Sequence, residues 1–255
     1  MMPWLATLLA LTPVAAAAAP VACDPAASAP VDQLDKTWWA TRHTDLLAQI
    51  ARRPDPEVLL IGDSITQNYE KSKAPDENFQ PTWQRFYAPR RALNLGFSGD
   101  TTVNLLWRLR HGEIDGIAPK VAVMLIGTND TAQGRNAEKT VCGVHADVAE
   151  IKRRLPDTRI LLIGVLPSDI SPAKSATDAA VNAGLAAQYA EDPRVTYLDI
   201  GAAFQRGGML DTSIFYDPRL ADRHARALHP DTIGQARMAE AIEPTLAAML
   251  HALPR

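Results

Sequence analysis

Val58-Leu59-Leu60-Ile61-Gly62-Asp63-Ser64-Ile65 is the stretch that decides the fold. Its first four residues are apolar without alternation, the pattern of a strand covered on both faces in a parallel sheet. Gly62 then lets the chain turn sharply, because it carries no Cβ to clash. Ser64 falls at the C-terminal end of the strand, near the start of the next helix, where open α/β sheets gather their chemistry. Free N–H groups at a helix start favour developing negative charge. Taken alone, Gly-Asp-Ser is also an ordinary turn with a helix cap. Its weight comes from what lies downstream.

Four further apolar runs read as strands: Ala92–Leu95, Val121–Ile126, Ile160–Val165 and Val195–Leu198. Helical stretches separate them or follow, at Trp83–Tyr87, Thr102–His111, Ala137–Arg154, Ser175–Ala190 and Thr232–His251. Strand–helix alternation of this kind predicts an α/β fold with a doubly wound, five-stranded parallel sheet. An earlier helix is expected over Trp38–Arg53, with Trp38, Trp39, His43, Leu46, Leu47 and Ile50 tending to one side and packing across the sheet. The polar segment Gln67–Pro81 follows Ser64 directly and is expected at the mouth of any site built there. Gly207–Ala227 is a long excursion before His229, and loops of that length are usually functional or mobile.

Three blocks join Gly62-Asp63-Ser64 in a compatible order: Asn94-Leu95-Gly96-Phe97-Ser98-Gly99-Asp100, Gly127-Thr128-Asn129-Asp130 and Leu228-His229-Pro230. Ser, Gly, Asn and His in this order resemble the SGNH hydrolases, the superfamily of GDSL esterases and lipases. Gly99-Asp100-Thr101-Thr102 and Leu106-Trp107-Arg108-Leu109 look especially like the catalytic subunits of platelet-activating-factor acetylhydrolase and their bacterial relatives. The resemblance covers roughly Val58 to Leu250. It implies a flavodoxin-like three-layer α/β/α fold and a serine esterase that uses no cofactor. By residue, it implies Ser64 as nucleophile and His229 as general base. It also implies an oxyanion hole from the backbone N–H groups of Ser64 and Gly99 and the side-chain amide of Asn129. An Asn amide suits that task, since it donates N–H without a charge to neutralise.

The family pattern breaks at the acid. Its Asp stands three residues before the histidine, and here that position is Arg226. Phe215-Tyr216-Asp217 resembles the start of the usual block, so the chain between Asp217 and Leu228 reads as an insertion. If it loops out, Asp217 meets the imidazole. Asp222 is the second choice, and a backbone carbonyl orienting His229 is the third.

Composition bounds the partners. The chain has 255 residues, 47% of them hydrophobic, with a net charge of −3, enough for one α/β domain and with no basic surplus for nucleic acid. The six histidines and two cysteines show no ligand spacing, so no metal site is expected. Residues 1–19 carry no charged side chain, and their apolar part is too short to span a bilayer before it runs into alanines. They read as a signal peptide of an exported protein, secreted or periplasmic, although no Lys or Arg precedes the apolar run. Residues 20–55 read as an N-terminal extension and helix, and 56–255 as the SGNH hydrolase domain. Cys23 and Cys142 form either one disulfide or a tail thiol and a buried thiol.

The expected activity is hydrolysis of a short acyl ester, acetyl first, through an acyl-enzyme intermediate. A carbohydrate O-acetylesterase is the alternative within the same class. The missing Asp at position 226 motivates a reading of another class, a non-catalytic binding protein on the same fold. Oligomeric state and the alcohol part of the substrate are not legible in the chain.

Overall fold

The computed structural model describes residues 22–23, 28–52, 55–75 and 77–252. The expected signal peptide and Asp76 lie outside the described residues. Five strands form one parallel sheet: β1 Val58–Gly62, β2 Leu93–Gly96, β3 Val121–Leu125, β4 Arg159–Ile163 and β5 Val195–Leu198. Their spatial order is β2-β1-β3-β4-β5, so the chain leaves β1 for one neighbour and then returns to its other side. That reversal creates the topological switch point, with β1 at its centre.

Each strand feeds one face and then the other. Leu59 and Ile61 of β1 enter a core with α1 (Thr37–Arg52), α4 (Thr102–Arg110), α6 (Ala137–Arg154) and α7 (Pro172–Gln188). Val58 and Leu60 point the other way, into a core closed by α3 (Gln80–Phe86) and α8 (Thr232–His251). Both faces being covered is why β1 and β3 read as unbroken apolar runs, whereas the edge strand β5 leaves Thr196 exposed. Two short helices, α2 (Ser64–Gln67) and α5 (Thr128–Ala132), sit at the C-terminal ends of β1 and β3.

The helix boundaries moved for local reasons. α7 begins at Pro172, three residues before the expected start, because the Ser171 side chain caps the Lys174 N–H and proline fits the first turn. α3 likewise opens at Gln80, with Pro81 in its first turn. Gly62 avoids a Cβ clash, as expected, and the fold names the atom that a Cβ would strike. Its backbone is not left-handed, but an added Cβ would lie 2.3 Å from the Leu125 carbonyl oxygen, so glycine is required for close strand–helix packing.

The paired tryptophans of α1 separate. Trp39 is fully buried, whereas Trp38 is 45% exposed, which corrects the single-face expectation for that helix. Neighbours on a helix point about 100° apart, and with Trp39 turned to the centre of the buried side Trp38 is carried to its margin. The Gln67–Pro81 segment folds into a 3-10 turn at Asn68–Glu70 and a hairpin pairing Ser72–Lys73 with Glu77–Asn78. Cys23 and Cys142 form a disulfide that ties the N-terminal extension to α6. No described helix is long and apolar enough to cross a membrane.

Candidate active site

Ser64 opens α2, two residues beyond the end of β1. Asp63 caps that helix through its carboxylate, which accepts the Ile65 N–H at 2.9 Å. Burial pushes the Asp63 carboxyl up to about 7. As first residue of the helix, Ser64 has no carbonyl four residues back for its own N–H.

His229 arrives from the far end of the chain. Tyr216 pairs with His229 and Phe215 with Pro230 in a two-residue antiparallel ladder. That pairing brings Phe215-Tyr216-Asp217 beside the histidine and makes the following segment loop out, as the sequence suggested. The Tyr216 ring lies 5.7 Å from the imidazole, and the Asp231 carboxylate caps α8 immediately afterwards. Ser64 Oγ and His229 Nε2 are 2.9 Å apart, across 165 positions of sequence.

Burial, followed by the nearby positive charge of Lys71, pushes the His229 imidazole down to about 4, while Asp217 pulls it the other way. Such a group is neutral at pH 7 and able to accept a proton from the serine hydroxyl.

The acid site differs from the family pattern in its bonding as well as its spacing. Asp217 is fully buried, and its carboxylate takes a two-pronged contact from Arg219, Nε to Oδ1 and Nη2 to Oδ2, both at 2.8 Å. The Arg219 hydrogen bond, outweighing burial, holds the Asp217 carboxyl below its ordinary value. His229 Nδ1 is buried and has no hydrogen-bond partner among the described residues. Asp217 is therefore near the imidazole but bonded to arginine. Asp222, the second choice, is exposed and accepts the His224 N–H at 3.2 Å.

The other two blocks end the neighbouring strands. Gly99 follows β2 with φ +78, a left-handed conformation that glycine adopts without strain. Asn129 lies in the first turn of α5, after β3, and its Nδ2 donates to the Asp100 carbonyl at 2.8 Å. That contact uses one of two amide hydrogens and links the Gly99 and Asn129 blocks. The backbone of Ser98 is pinned as well, donating to Gln67 Oε1 at 2.8 Å.

Beneath these loops lies an ionic network that sequence reasoning did not foresee. Arg108 is fully buried and bonds Asp100 at 2.7 Å and also Glu113. Its guanidinium also donates to the carbonyls of Leu95 and Gly62, at the ends of β2 and β1. Asp100 accepts the Trp39 indole N–H at 2.8 Å as well. The network's sequence signals were a charged residue at an inward position of an amphipathic helix and the place of Asp100 and Arg108 in the blocks that carry the family resemblance. The sequence also held no hint of Arg219, or of Trp38 as a cleft residue.

The resulting cleft has a volume of about 390 Å³ and is lined by Ser64, His229, Gln67, Asn68, Lys71, Ser98, Trp38 and Pro218. Of the segment expected at its mouth, Gln67, Asn68 and Lys71 line it, whereas Tyr69 is buried and Lys73 faces solvent.

Residues 60–237 match the GDSL-like lipase/acylhydrolase family. The chain is 30% identical over 214 residues to platelet-activating factor acetylhydrolase IB subunit alpha1 of Homo sapiens, covering 83% of this chain and 84% of that protein. Among solved structures it resembles a GDSL-like lipase from Bacteroides thetaiotaomicron, with a TM-score of 0.57 at 20% identity, covering 85% of this chain and 98% of that one. A carbohydrate acetylesterase from Sinorhizobium meliloti superposes with a TM-score of 0.57 at 17% identity, covering 77% of this chain and 100% of the other.

Proposed function

This chain belongs to the GDSL-like lipase/acylhydrolase family and is an ester hydrolase, and from that membership we propose that it removes short acyl groups, acetyl first, with Ser64 as nucleophile. The observation that carries the proposal is the 2.9 Å contact between Ser64 Oγ and His229 Nε2.

In the proposed reaction, Ser64 Oγ attacks the ester carbonyl as its proton passes to His229 Nε2. The oxyanion meets the N–H groups of Ser64 and Gly99 and the remaining amide hydrogen of Asn129. Collapse breaks the carbon–oxygen bond to the alcohol, which leaves with the proton from His229. Water then attacks the acyl-serine by the same route, releasing the acid and restoring both groups. Asp217, released from Arg219, balances the imidazolium during each attack.

The lining supports a small acyl group. Trp38 and Pro218 are the only apolar side chains among the described residues around the cleft. A long fatty chain would lose the apolar contact that normally stabilises its binding. The Cys23–Cys142 disulfide supports a site of action outside the reducing cytosol, secreted or periplasmic.

The test is a series of 4-nitrophenyl esters with acyl chains from two to twelve carbons. The acetate should give the highest kcat/KM, and Ser64→Ala should abolish turnover in folded protein. An active Ser64→Ala enzyme would refute the nucleophile, and a preference for long chains would refute the acyl assignment.

A further inference from the structure

A second and larger cavity adjoins the Ser64 cleft. It has a volume of about 800 Å³ and lies between α1 and α3, over the outer edge of β2. Trp38 and Gln67 line both cavities, so the two are neighbours that share those side chains. An alcohol group leaving Ser64 on that side would extend into this groove.

The chemistry of its walls discriminates among alcohols. Arg42 is the only cation among its described lining residues, and it is held by Glu70 through two contacts of 2.8 and 2.9 Å. Its Nε donates to the Gly96 carbonyl at 2.8 Å. Three of that arginine's five N–H groups are committed, and the carboxylates of Glu70 and Asp45 in the same wall oppose a phosphate, which favours unpaired cations or backbone N–H groups. The apolar surface is also discontinuous. Leu46 and Tyr69 are buried, which leaves Trp38 and Trp83 as the aromatic faces. Two separated rings do not form the unbroken trough that a lipid chain requires.

Neutral amides make up much of the rest. Gln67 uses its Oε1 on the Ser98 N–H, which leaves its Nε2 to donate. Gln80 uses its Nε2 on the carbonyls of Tyr69 and Glu70, which leaves its Oε1 to accept. Gln49 lines the same wall from α1. Paired amide donors and acceptors beside flat aromatic faces match a polyol ring, whose hydroxyls lie at its rim and whose C–H groups cover its faces.

We infer that this groove binds the sugar residues of a neutral O-acetylated glycan and delivers the ester on one residue to Ser64. The inference rests on the esterase reading above and adds the class of alcohol. Trp83 and Gln49 are recognition residues in this scheme, remote from the reacting atoms.

The experiment compares partially O-acetylated xylotetraose and cellotetraose with 4-nitrophenyl acetate, which is too small to occupy both cavities. Trp83→Ala and Gln49→Ala should raise KM at least tenfold on one tetraose, with kcat little changed. Both variants should keep kcat/KM for 4-nitrophenyl acetate within twofold of wild type. Gln49→Ala serves as the second variant because Trp83 also packs on the core. Equal loss on all substrates in both variants would make the residues structural and overturn the inference. So would an unchanged KM on both tetraoses. Faster hydrolysis of an acetylated ether glycerophosphocholine, sensitive to Trp83→Ala, would assign the groove to a lipid and overturn it too. A wild-type protein inert toward 4-nitrophenyl acetate would instead refute the Ser64 reading beneath it.

Discussion

Replacing Asp217 by asparagine tests how the imidazolium is balanced during attack. In the resting structure the Asp217 carboxylate is bonded to Arg219, and His229 Nδ1 has no partner among the described residues. The Arg219 side chain is 64% exposed, so water competes for it. An ion pair open to water on its cation side, as here with Asp217 buried, contributes about 1 kcal/mol, equivalent to a factor of about five. Surrendering Arg219 for the imidazolium is therefore cheap. A carboxylate that orients and balances a catalytic histidine contributes about 10⁴ in turnover. Subtracting the exchange cost leaves an expected loss of about three to four decades in kcat for Asp217→Asn. Arg219→Ala should stay within about fivefold of wild type and shift upward, because the competitor is removed. The assay is initial-rate hydrolysis of 4-nitrophenyl acetate, with thermal melting as the check on folding. Asp222→Asn should be silent, since Asp222 is exposed and bonded to a backbone N–H. If Asp217→Asn stays within tenfold of wild type while His229→Ala is dead, the reasoning fails and the site is a Ser-His dyad. If Arg219→Ala loses as much as Asp217→Asn, the site needs the pair rather than the carboxylate.

The acid limb of kcat/KM should fall near pH 4 rather than 6.5, because the base must be neutral and His229 is pushed down to about 4. A histidine at its ordinary value would be only about a tenth neutral at pH 5.5, so a rate at pH 5.5 matching that at pH 7 separates the cases. Asn129→Ala should lower kcat by about two to three decades with little change in KM, because the oxyanion exists only beyond the ground state. A change confined to KM would make Asn129 a binding residue. Arg108→Met should cost about 3–5 kcal/mol by denaturant titration, since Asp100 and Glu113 would be left buried without their cation. Reducing the Cys23–Cys142 bond, which spans 119 positions, should lower the melting temperature. The chain-entropy model puts the loss near about 5 kcal/mol. Titratable thiols in the denatured, unreduced protein would rule the bond out.

The sequence by itself determined the sheet, its helices and the pair at the centre of the site. Val58–Ile61 and the four later runs read as strands of a parallel sheet, and β1 to β5 formed within two residues of them, with β5 half-exposed at the sheet edge. Ser64, Gly99 and Asn129 each follow such a strand, so parallel packing carried all three to one sheet edge. Those signals are local, written in the burial of consecutive residues and in the turns that follow them.

Tertiary structure decided everything that depended on competition between distant partners. The sequence left three choices for the acid, and only the fold showed Asp217 beside His229 yet bonded to Arg219. It allowed Cys23 and Cys142 to pair or stay apart, and the packing of the N-terminal extension on α6 joined them. It grouped Trp38 with Trp39, and the helix rotation sent one to the core and the other to the lip of the cleft. It marked Arg108 only as a charged residue at an inward helix position, and the two carboxylates and two strand-end carbonyls that hold it are supplied by separate segments. An apolar run needs only a core to enter, whereas a charged group has several possible partners, and its choice depends on three-dimensional distances that residue order does not encode.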